Sequence, residues 1–343
     1  MKVGLVYDPV YLRHNTGTHV ENRRRLEETI GLLERAGLKE KLTLIKPRPV
    51  LQEELLLVHD PSHISRVETF SQHGGGWLDG DTVTSADSYE VALYAAGGAL
   101  RAIDAVLKGE VDSTFCLLRP PGHHATRVRA MGFCLFNNIA IAAKYAQKTY
   151  GLERVLIADF DVHHGNGTQE TFYSDPSVLY FSTHQYPFYP GTGAIDEVGH
   201  GAGRRATVNV PLPAGCGDEE YLRAYEEILV PVARRFQPQL ILVSAGFDPH
   251  WADQIAMMQL SLSGFARIVK LLKSLAEELC GGKILFTLEG GYHLQALSHG
   301  IKSGLQVLMG EEPEEDPLGC GPEQRKAPSI ESILEAVKKV QQL

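Results

Sequence analysis

The stretch VLIADFDVHHGNGTQE, residues 155–170, places carboxylates and histidines directly behind a short apolar run. Apolar runs of this length, bounded by turn residues, are typical of buried strands in parallel sheets. Comparable runs recur along the chain and alternate with segments of helical periodicity, without repeats or low-complexity linkers. The pattern therefore predicts an α/β fold of one domain over residues 1–343, with a mostly parallel central sheet covered by helices on both faces.

The same periodicity predicts the individual elements. The predicted strands are 3–6, 114–118, 155–158, 178–181, 240–244 and 284–288. The predicted helices are 21–36, 86–107, 138–150, 218–236 and 263–279. Strands separated by helices in this way favour parallel pairing.

Composition and charge limit the partners that this chain can bind. The chain has 343 residues, 43% of them hydrophobic, and a formal net charge of -9. Its length allows a large buried core. Non-specific binding to nucleic acids or anionic membranes relies on basic surface, so neither is expected. The charges of the basic segment NRRRL, residues 22–26, are accordingly predicted to be exposed on a helix or loop rather than to form a nucleic-acid site.

Targeting signals and cysteine spacing help to predict the cellular compartment of the protein. The segment MKVGLVYDPVYL is predicted to form a strand rather than a signal peptide, and no apolar span reaches the length of about 18 residues that a membrane helix needs. A soluble, cytoplasmic protein is therefore expected, and the sequence leaves open a homo-oligomer. The cysteines include no CxxC pair, so neither a disulfide framework nor a thiolate zinc site is expected. They are Cys116, Cys134, Cys216, Cys280 and Cys320.

Polar side chains follow most of the predicted strands at the point where each strand ends. The segments concerned are RPPGHH, DFDVHHGNG, STH, AGFDPHWAD and EGGYH. In open α/β sheets ligands bind outside the carboxyl ends of the strands. We therefore expect these segments to converge on one site.

Three of these residues form a candidate metal site. Asp161 and His163 lie two residues apart, so in an extended segment their side chains point the same way. Asp248, from a later strand end, could supply a third ligand. Two carboxylates and one imidazole with an open position match a catalytic zinc ion better than a structural one, where thiolates usually dominate.

The adjacent His123 and His124 are candidates for proton transfer. A metal-bound water needs a base to take its proton, and a leaving amine needs an acid. Asp159 and Asn166 are candidate partners of the two imidazoles. An anionic partner favours the imidazolium and a neutral amide does not, so the two histidines need not titrate alike.

Tyr292 is a candidate oxyanion donor at the last strand end. It follows Gly290 and Gly291, which permit tight turns and close approach of a ligand. A tyrosine hydroxyl there could donate to the oxyanion of a tetrahedral intermediate. In the segment GGWLDGDTVTS, Asp79 or Asp81 could anchor the substrate at the rim of the site.

Several motifs together resemble the zinc-dependent histone deacetylase family, over roughly residues 1–310. The spelling is most similar to the class II and bacterial deacetylase-like amidohydrolase branch, near acetylpolyamine amidohydrolases. The motifs are RPPGHHA, GFCLFNN, DFDVHHGNGTQ, STHQYPFYPGTG, NVPLPAG, SAGFDPHWAD and LEGGY. The resemblance implies an arginase-like three-layer α/β fold and hydrolysis of acyl-lysine or a related N-acyl amine, such as an acetylpolyamine.

The resemblance also implies roles for individual residues. Zinc binding carries over onto Asp161, His163 and Asp248, acid and base catalysis onto His123 and His124, and carbonyl polarisation onto Tyr292. The family's narrow apolar tunnel is implied to have walls at Phe133 and Tyr189, with Gly132 beside them. Ile255 stands where some polyamine-specific relatives carry a glutamate, which argues mildly against selective polyamine recognition. Other departures from the family's usual spelling are Tyr189 for phenylalanine, Gln254 for proline and His293 for asparagine.

The resemblance further implies a potassium ion near the zinc. Its implied ligands are Asp159, Asp161, Ser182 and backbone carbonyls, including those of His163 and Thr183. A second, more peripheral monovalent site is implied at Phe172, Asp175 and Val178.

Two other functions stay open from the sequence. A binuclear manganese ureohydrolase of arginase type would share the fold, but it typically needs an Asp-x-His-x-Asp pattern, and here Gly165 follows DVHH. A catalytically inactive acyl-lysine binder is the second alternative, although no residue of the predicted machinery is missing.

Overall fold

The structure is a computed structural model that describes residues 1–319, 321 and 327–343. Its strands are β1 (Val3–Val6), β2 (Thr43–Ile45), β3 (Gly75–Trp77), β4 (Val83–Ser85), β5 (Ser113–Cys116), β6 (Val155–Asp159), β7 (Val178–Gln185), β8 (Thr207–Leu212), β9 (Leu240–Ala245) and β10 (Ile284–Leu288). Its α-helices are α1 (Arg24–Arg35), α2 (Gln52–Leu55), α3 (Pro61–Gln72), α4 (Ser88–Leu107), α5 (Asn138–Tyr150), α6 (Asn166–Phe172), α7 (Asp218–Ala224), α8 (Val230–Phe236), α9 (Leu262–Cys280), α10 (Leu294–Met309) and α11 (Glu331–Gln341). Cys320 lies outside the described residues.

The main sheet is parallel throughout. It has eight strands in the order β2-β1-β5-β10-β9-β6-β7-β8, and each neighbouring pair runs in the same direction. The strands β3 and β4 form a separate antiparallel pair. All carboxyl ends of the main sheet therefore lie along one edge, as the α/β prediction requires.

Helices cover the sheet in two groups. One group contains α1, α9 and α10, in which α10 packs against both of the others, while α4 packs against α5 in the second group. The central strands β5, β6, β9 and β10 are buried along their whole length. This burial on both faces explains why their sequences are continuous apolar runs rather than alternating ones. The predicted fold class is confirmed.

Two elements differ from the predictions for reasons that involve proline. The edge strand β8 was not predicted and contains Pro211, which is tolerated at the edge of a sheet because that position loses few ladder hydrogen bonds. The predicted helix 218–236 is instead divided by a π-helical turn, Tyr225–Leu229. Pro231 follows that turn and has no N–H to donate to the preceding turn of helix.

Among the residues that the structure describes, no helix combines the length and the apolar character needed to cross a bilayer.

Substitution of Ile157 should measure how much the central sheet contributes to stability. Ile157 lies in β6 and is 0% exposed, so Ile157→Ala should lower the free energy of unfolding by about 2–5 kcal/mol, through lost burial and a residual cavity. Leu44→Ala on the edge strand β2 is the control, because Leu44 is 54% exposed, and it should change stability by no more than about 0.5 kcal/mol. Urea denaturation measures both, and equal losses would contradict this account.

Candidate active site

The carboxyl ends of the central strands bring most of the predicted site residues around one cavity. Its volume is about 210 Å³. It is lined by Asp81, Pro121, His123, His124, Gly132, Phe133, Cys134, Asp161, His163, Phe188, Tyr189, Ile255, Gly290 and Tyr292. The convergence expected from the strand-end sequences is therefore present.

Asp161, His163 and Asp248 form a buried cluster beneath the cavity. One ligand atom from each lies within 4.8 Å of the others. Nδ1 of His163 is 3.1 Å from Oδ1 of Asp161 and 3.3 Å from Oδ2 of Asp248. Oδ2 of Asp248 has no hydrogen-bond partner among the described residues, which is costly for a buried carboxylate. The two carboxylates and the imidazole therefore fit a divalent metal ion, and the donor set suits zinc.

Glycines allow the carboxylates of this cluster to approach the backbone closely. A Cβ atom at Gly290 would collide with the carboxylates of both Asp248 and Asp161, and one at Gly246 would collide with Asp161. The N–H of Gly290 donates to Oδ2 of Asp161 at 2.7 Å, and the N–H of Val162 donates to Oδ1 of Asp248 at 3.0 Å. Main-chain N–H groups thus hold the two carboxylates in place. A residue larger than glycine at position 290 or 246 would displace the carboxylates that it meets.

His123 faces a group of carboxylates. Its Nδ1 lies 3.0 Å from Oδ2 of Asp159, which also accepts from the hydroxyl of Tyr180 at 3.1 Å. Burial alone would lower the pKa of His123, but the charges of Asp159, Asp161 and Glu289 outweigh it and raise the pKa to about 10. The neighbouring carboxylates therefore favour the imidazolium form of His123.

His124 has a neutral partner, and its pKa is shifted in the opposite direction. Its Nδ1 lies 2.8 Å from Oδ1 of Asn166, while Nδ2 of Asn166 is oriented toward the carbonyl of His124 at 3.4 Å. Burial, together with the nearby His123 and His163, lowers the pKa of His124 well below its usual value. The amide oxygen accepts the Nδ1 proton of this neutral ring, so Nε2 is left as the free acceptor.

Tyr292 lines the cavity, and the carboxylate of Asp253 holds its backbone in place. Oδ2 of Asp253 accepts the N–H groups of Tyr292 at 2.6 Å and His293 at 2.8 Å. The guanidinium of Arg25 lies 5.0 Å from the centre of the tyrosine ring. Burial raises the pKa of Tyr292, so its hydroxyl stays protonated and can donate a hydrogen bond.

The prediction that residues 22–26 are exposed is wrong for Arg25, which is 0% exposed. Its Nε donates to the carbonyl of Gly291 at 2.7 Å, and its Nη2 donates to that of Glu289 at 2.5 Å. Its Nη1 donates to Glu21 at 3.1 Å, and the buried Arg119 also donates to Glu21, at 2.6 Å. Arg25 belongs to the inward face of α1 with Leu26, Thr29, Ile30 and Leu33, a spacing that could have identified it as buried.

Aromatic rings form the walls of the cavity. The ring of Phe133 meets that of Tyr292 edge to face at 5.8 Å, and the ring of Tyr189 meets that of His124 at 5.2 Å. Phe188 was not predicted, yet it stacks on His163 at 5.4 Å. Its position next to Tyr189 in the same motif was the available signal.

The predicted rim residues separate into two groups. Asp81 lines the cavity and accepts from the N–H of Gly132 at 3.2 Å. Asp79 does not line the cavity, because its carboxylate is paired with Arg129 at 2.6 Å. Gly291 also does not line it, and its carbonyl is the acceptor for Arg25.

The residues implied for monovalent cations are also in two groups. Asp159 and Ser182 are register partners on the neighbouring strands β6 and β7, and the buried hydroxyl of Thr183 has no partner among the described residues. At the second implied site, Phe172 and Val178 are buried. There the carboxylate of Asp175 is already engaged by Lys144 at 2.5 Å.

Gly290→Ala should weaken metal binding while the protein stays folded. The added methyl group must displace Asp161 and Asp248, and we expect the affinity for zinc to fall about 10- to 100-fold, as it does when groups supporting metal ligands are altered. Gly304→Ala is the matched control, because the nearest atom to a Cβ there is 3.8 Å away. Equilibrium dialysis of metal-free protein measures both, and an unchanged affinity in Gly290→Ala would contradict the close approach described above.

Comparisons with known proteins show to which family this chain is similar. Residues 19–308 match the histone deacetylase domain. A probable deacetylase of Archaeoglobus fulgidus is 43% identical over 312 residues, which cover 90% of this chain and 86% of that protein. The polyamine deacetylase HDAC10 of Mus musculus is 42% identical over 335 residues, which cover 94% of this chain and 48% of that protein. The solved structure of the HDA15 HD domain is similar with a TM-score of 0.89 and 36% identity, covering 99% of this chain and 94% of that one. This chain therefore belongs to the histone deacetylase family of amide-hydrolysing enzymes.

Proposed function

We propose that this protein is a zinc-dependent deacylase that hydrolyses the amide of N-acetyl-lysine, or of a related N-acyl amine, to a free amine and a carboxylate. The observation that carries the proposal is that Asp161, His163, both adjacent histidines and Tyr292 line one cavity. When bound, zinc would polarise the acyl carbonyl and acidify the attacking water.

The charge states of the two histidines supply an acid and a base. The neutral His124 takes the proton of the attacking water on its free Nε2. The imidazolium of His123, held through Nδ1 by Asp159, gives a proton from Nε2 to the leaving nitrogen. One water is consumed, the C–N bond breaks, and the products are the carboxylate and the amine.

Tyr292 donates its hydroxyl hydrogen bond to the carbonyl oxygen as negative charge develops there. The contacts of its main chain with Asp253 and of its ring with Arg25 support this role, because they fix the direction of the hydroxyl before substrate arrives. Preorganised hydrogen-bond donors of this kind usually account for a large part of an enzyme's rate enhancement.

Tyr292→Phe should therefore lower kcat for deacetylation of an acetyl-lysine peptide about 10²- to 10³-fold, because one oxyanion donor is removed. Tyr221→Phe is the matched control, since the hydroxyl of that buried tyrosine has no hydrogen-bond partner among the described residues. Acetate release under steady-state conditions measures both variants. A wild-type kcat in Tyr292→Phe would contradict the assignment of Tyr292 as an oxyanion donor.

The walls of the cavity favour an aliphatic side chain as the part of the substrate that enters. Phe133, Tyr189 and Ile255 supply apolar surface, and Asp81 supplies a carboxylate at the rim. Acyl-lysine combines an aliphatic chain with a polar backbone that stays outside. The relative named a polyamine deacetylase keeps acetylpolyamines as the second substrate class to be tested.

The residue at position 255 should control the choice between these substrates. We expect the wild-type protein to prefer an acetyl-lysine peptide, and Ile255→Glu to raise kcat/KM for acetylated polyamines relative to that peptide, because a carboxylate there would attract a cationic chain. Ile255→Gln, which is polar but uncharged, is the control. A substrate panel with both variants measures the ratio, and wild-type activity confined to polyamines would overturn the preference for acyl-lysine.

The two alternative functions, a manganese ureohydrolase and an inactive acyl-lysine binder, predict different experimental results. Only one cluster of three metal-ligating side chains occurs among the described residues, which favours one ion over the pair that a ureohydrolase needs. Two manganese ions per chain with release of urea from a guanidino substrate would favour the ureohydrolase. Binding of acetyl-lysine peptide without release of acetate would favour an inactive binder.

A potassium ion is the second cofactor that we propose. Asp159 and Ser182 are register partners on the neighbouring strands β6 and β7, and their buried side-chain oxygens support a cation there. The contact of Asp175 with Lys144 gives the peripheral monovalent site less support.

A further inference from the structure

Glu289 is a fully buried carboxylate that takes no direct part in the proposed mechanism, although its charge helps to raise the pKa of His123. It follows β10, is 0% exposed, and does not line the cavity. Its Oε2 accepts the N–H of Gly122 at 2.7 Å and that of His123 at 3.1 Å. Its Oε1 accepts the hydroxyl of Ser244 at 3.2 Å. All three donors are neutral, two main-chain N–H groups and one hydroxyl, so this carboxylate is held by neutral donors rather than by an ion pair.

The two N–H groups belong to a segment without strand partners. The strand β5 ends at Cys116, so Gly122 and His123 lie in the loop beyond the sheet and need other acceptors when they are buried. Glu289 supplies that acceptor from a neighbouring strand end. Hydrogen bonds from a main-chain N–H to a carboxylate are shorter and stronger than those between neutral groups.

The peptide groups of His123 are held on both sides. Glu289 accepts its N–H, while its carbonyl accepts the N–H groups of Gly167 at 3.1 Å and Thr168 at 3.2 Å. With Asp159 bonded to Nδ1, the backbone and the ring of His123 are both fixed. The position of Nε2 therefore depends on Glu289 as well as on Asp159.

We propose that Glu289 is a positioning residue, whose side-chain oxygens fix the main chain of Gly122 and His123 and so set where the two imidazoles meet the substrate. This inference rests on the proposed function. The positioning role requires acceptor oxygens, while the charge of Glu289 contributes less to the raised pKa of His123 than the charges of Asp159 and Asp161 do. Burial raises the pKa of Glu289 to about 7, and Oε2 can accept both N–H groups whether or not Oε1 carries a proton.

Comparison of Glu289→Met with Glu289→Gln tests the inference. Methionine has a similar length without acceptor oxygens, so kcat should fall about 100-fold, the loss expected for a misplacement near 1 Å, with KM within about twofold of wild type. In Glu289→Gln the amide oxygen can accept both N–H groups and the NH₂ can donate to Ser244, so kcat should stay within about fivefold of wild type. Thr287→Val, which removes another buried hydroxyl on β10, should leave kcat unchanged.

Amide hydrogen exchange of residues 119–125 gives a second readout that does not depend on activity. Exchange at Gly122 and His123 should accelerate in Glu289→Met and remain slow in Glu289→Gln and Thr287→Val. Should Glu289→Met fail to fold, Glu289→Leu takes its place in both measurements. The inference is overturned if Glu289→Gln is as impaired as Glu289→Met, if the variant without oxygens keeps wild-type kcat, or if exchange is unchanged. A wild-type protein without deacylase activity would instead overturn the proposed function, and the exchange data would still test the anchoring.

Discussion

Negative charge buried at one edge of a parallel sheet is the constraint on which the rest of this structure depends. The carboxylates concerned are Asp159, Asp161, Asp248 and Glu289, each at most 1% exposed. Burial of an unpaired carboxylate costs several kcal/mol, so each one needs donors or a cation. Nδ1 of His123 bonds to Asp159, and the imidazole of His163 lies between Asp161 and Asp248. Main-chain N–H groups donate to Glu289. The parallel sheet makes these pairings available because it brings every carboxyl end to the same edge.

The different properties of the two adjacent histidines follow from this distribution of charge. His123 faces carboxylates and His124 faces the neutral amide of Asn166, although their rings are only 4.0 Å apart. A cation next to a second imidazole disfavours a second proton. In the proposed mechanism, one dipeptide thus provides a proton donor and a proton acceptor, and the difference between them comes from the neighbouring side chains.

The parts of this structure that the sequence predicts are those encoded locally. The apolar runs of β1 and β10 match the strands found, and α5 has the bounds that periodicity predicts. The convergence of Asp161, His163 and Asp248 was predictable because topology alone brings strand ends together. The catalytic, metal-binding and substrate-binding roles of these residues, and the single domain over residues 1–343, stay predictions.

Other parts depend on contacts between distant segments, which no local pattern encodes. Helical spacing places Arg25 on the buried face of α1, but the carbonyls that accept its guanidinium follow β10 and are distant in the sequence. Glu289 is part of a recognisable motif, but its partners Gly122 and His123 lie in the loop that follows β5, which is distant in the sequence. The strand β8 contains Pro211, so its composition argues against a strand until its place at the edge of the sheet is known.

The distribution of the proposed metal ligands over two strands also has a thermodynamic consequence. Asp161 and His163 follow β6 and Asp248 follows β9, and these strands are neighbours in the sheet although they are distant in the sequence. An ion held by all three would therefore be a cross-link between two halves of the chain as well as a catalyst. Because the unfolded chain does not bring these ligands together, the melting temperature would depend on the concentration of free metal.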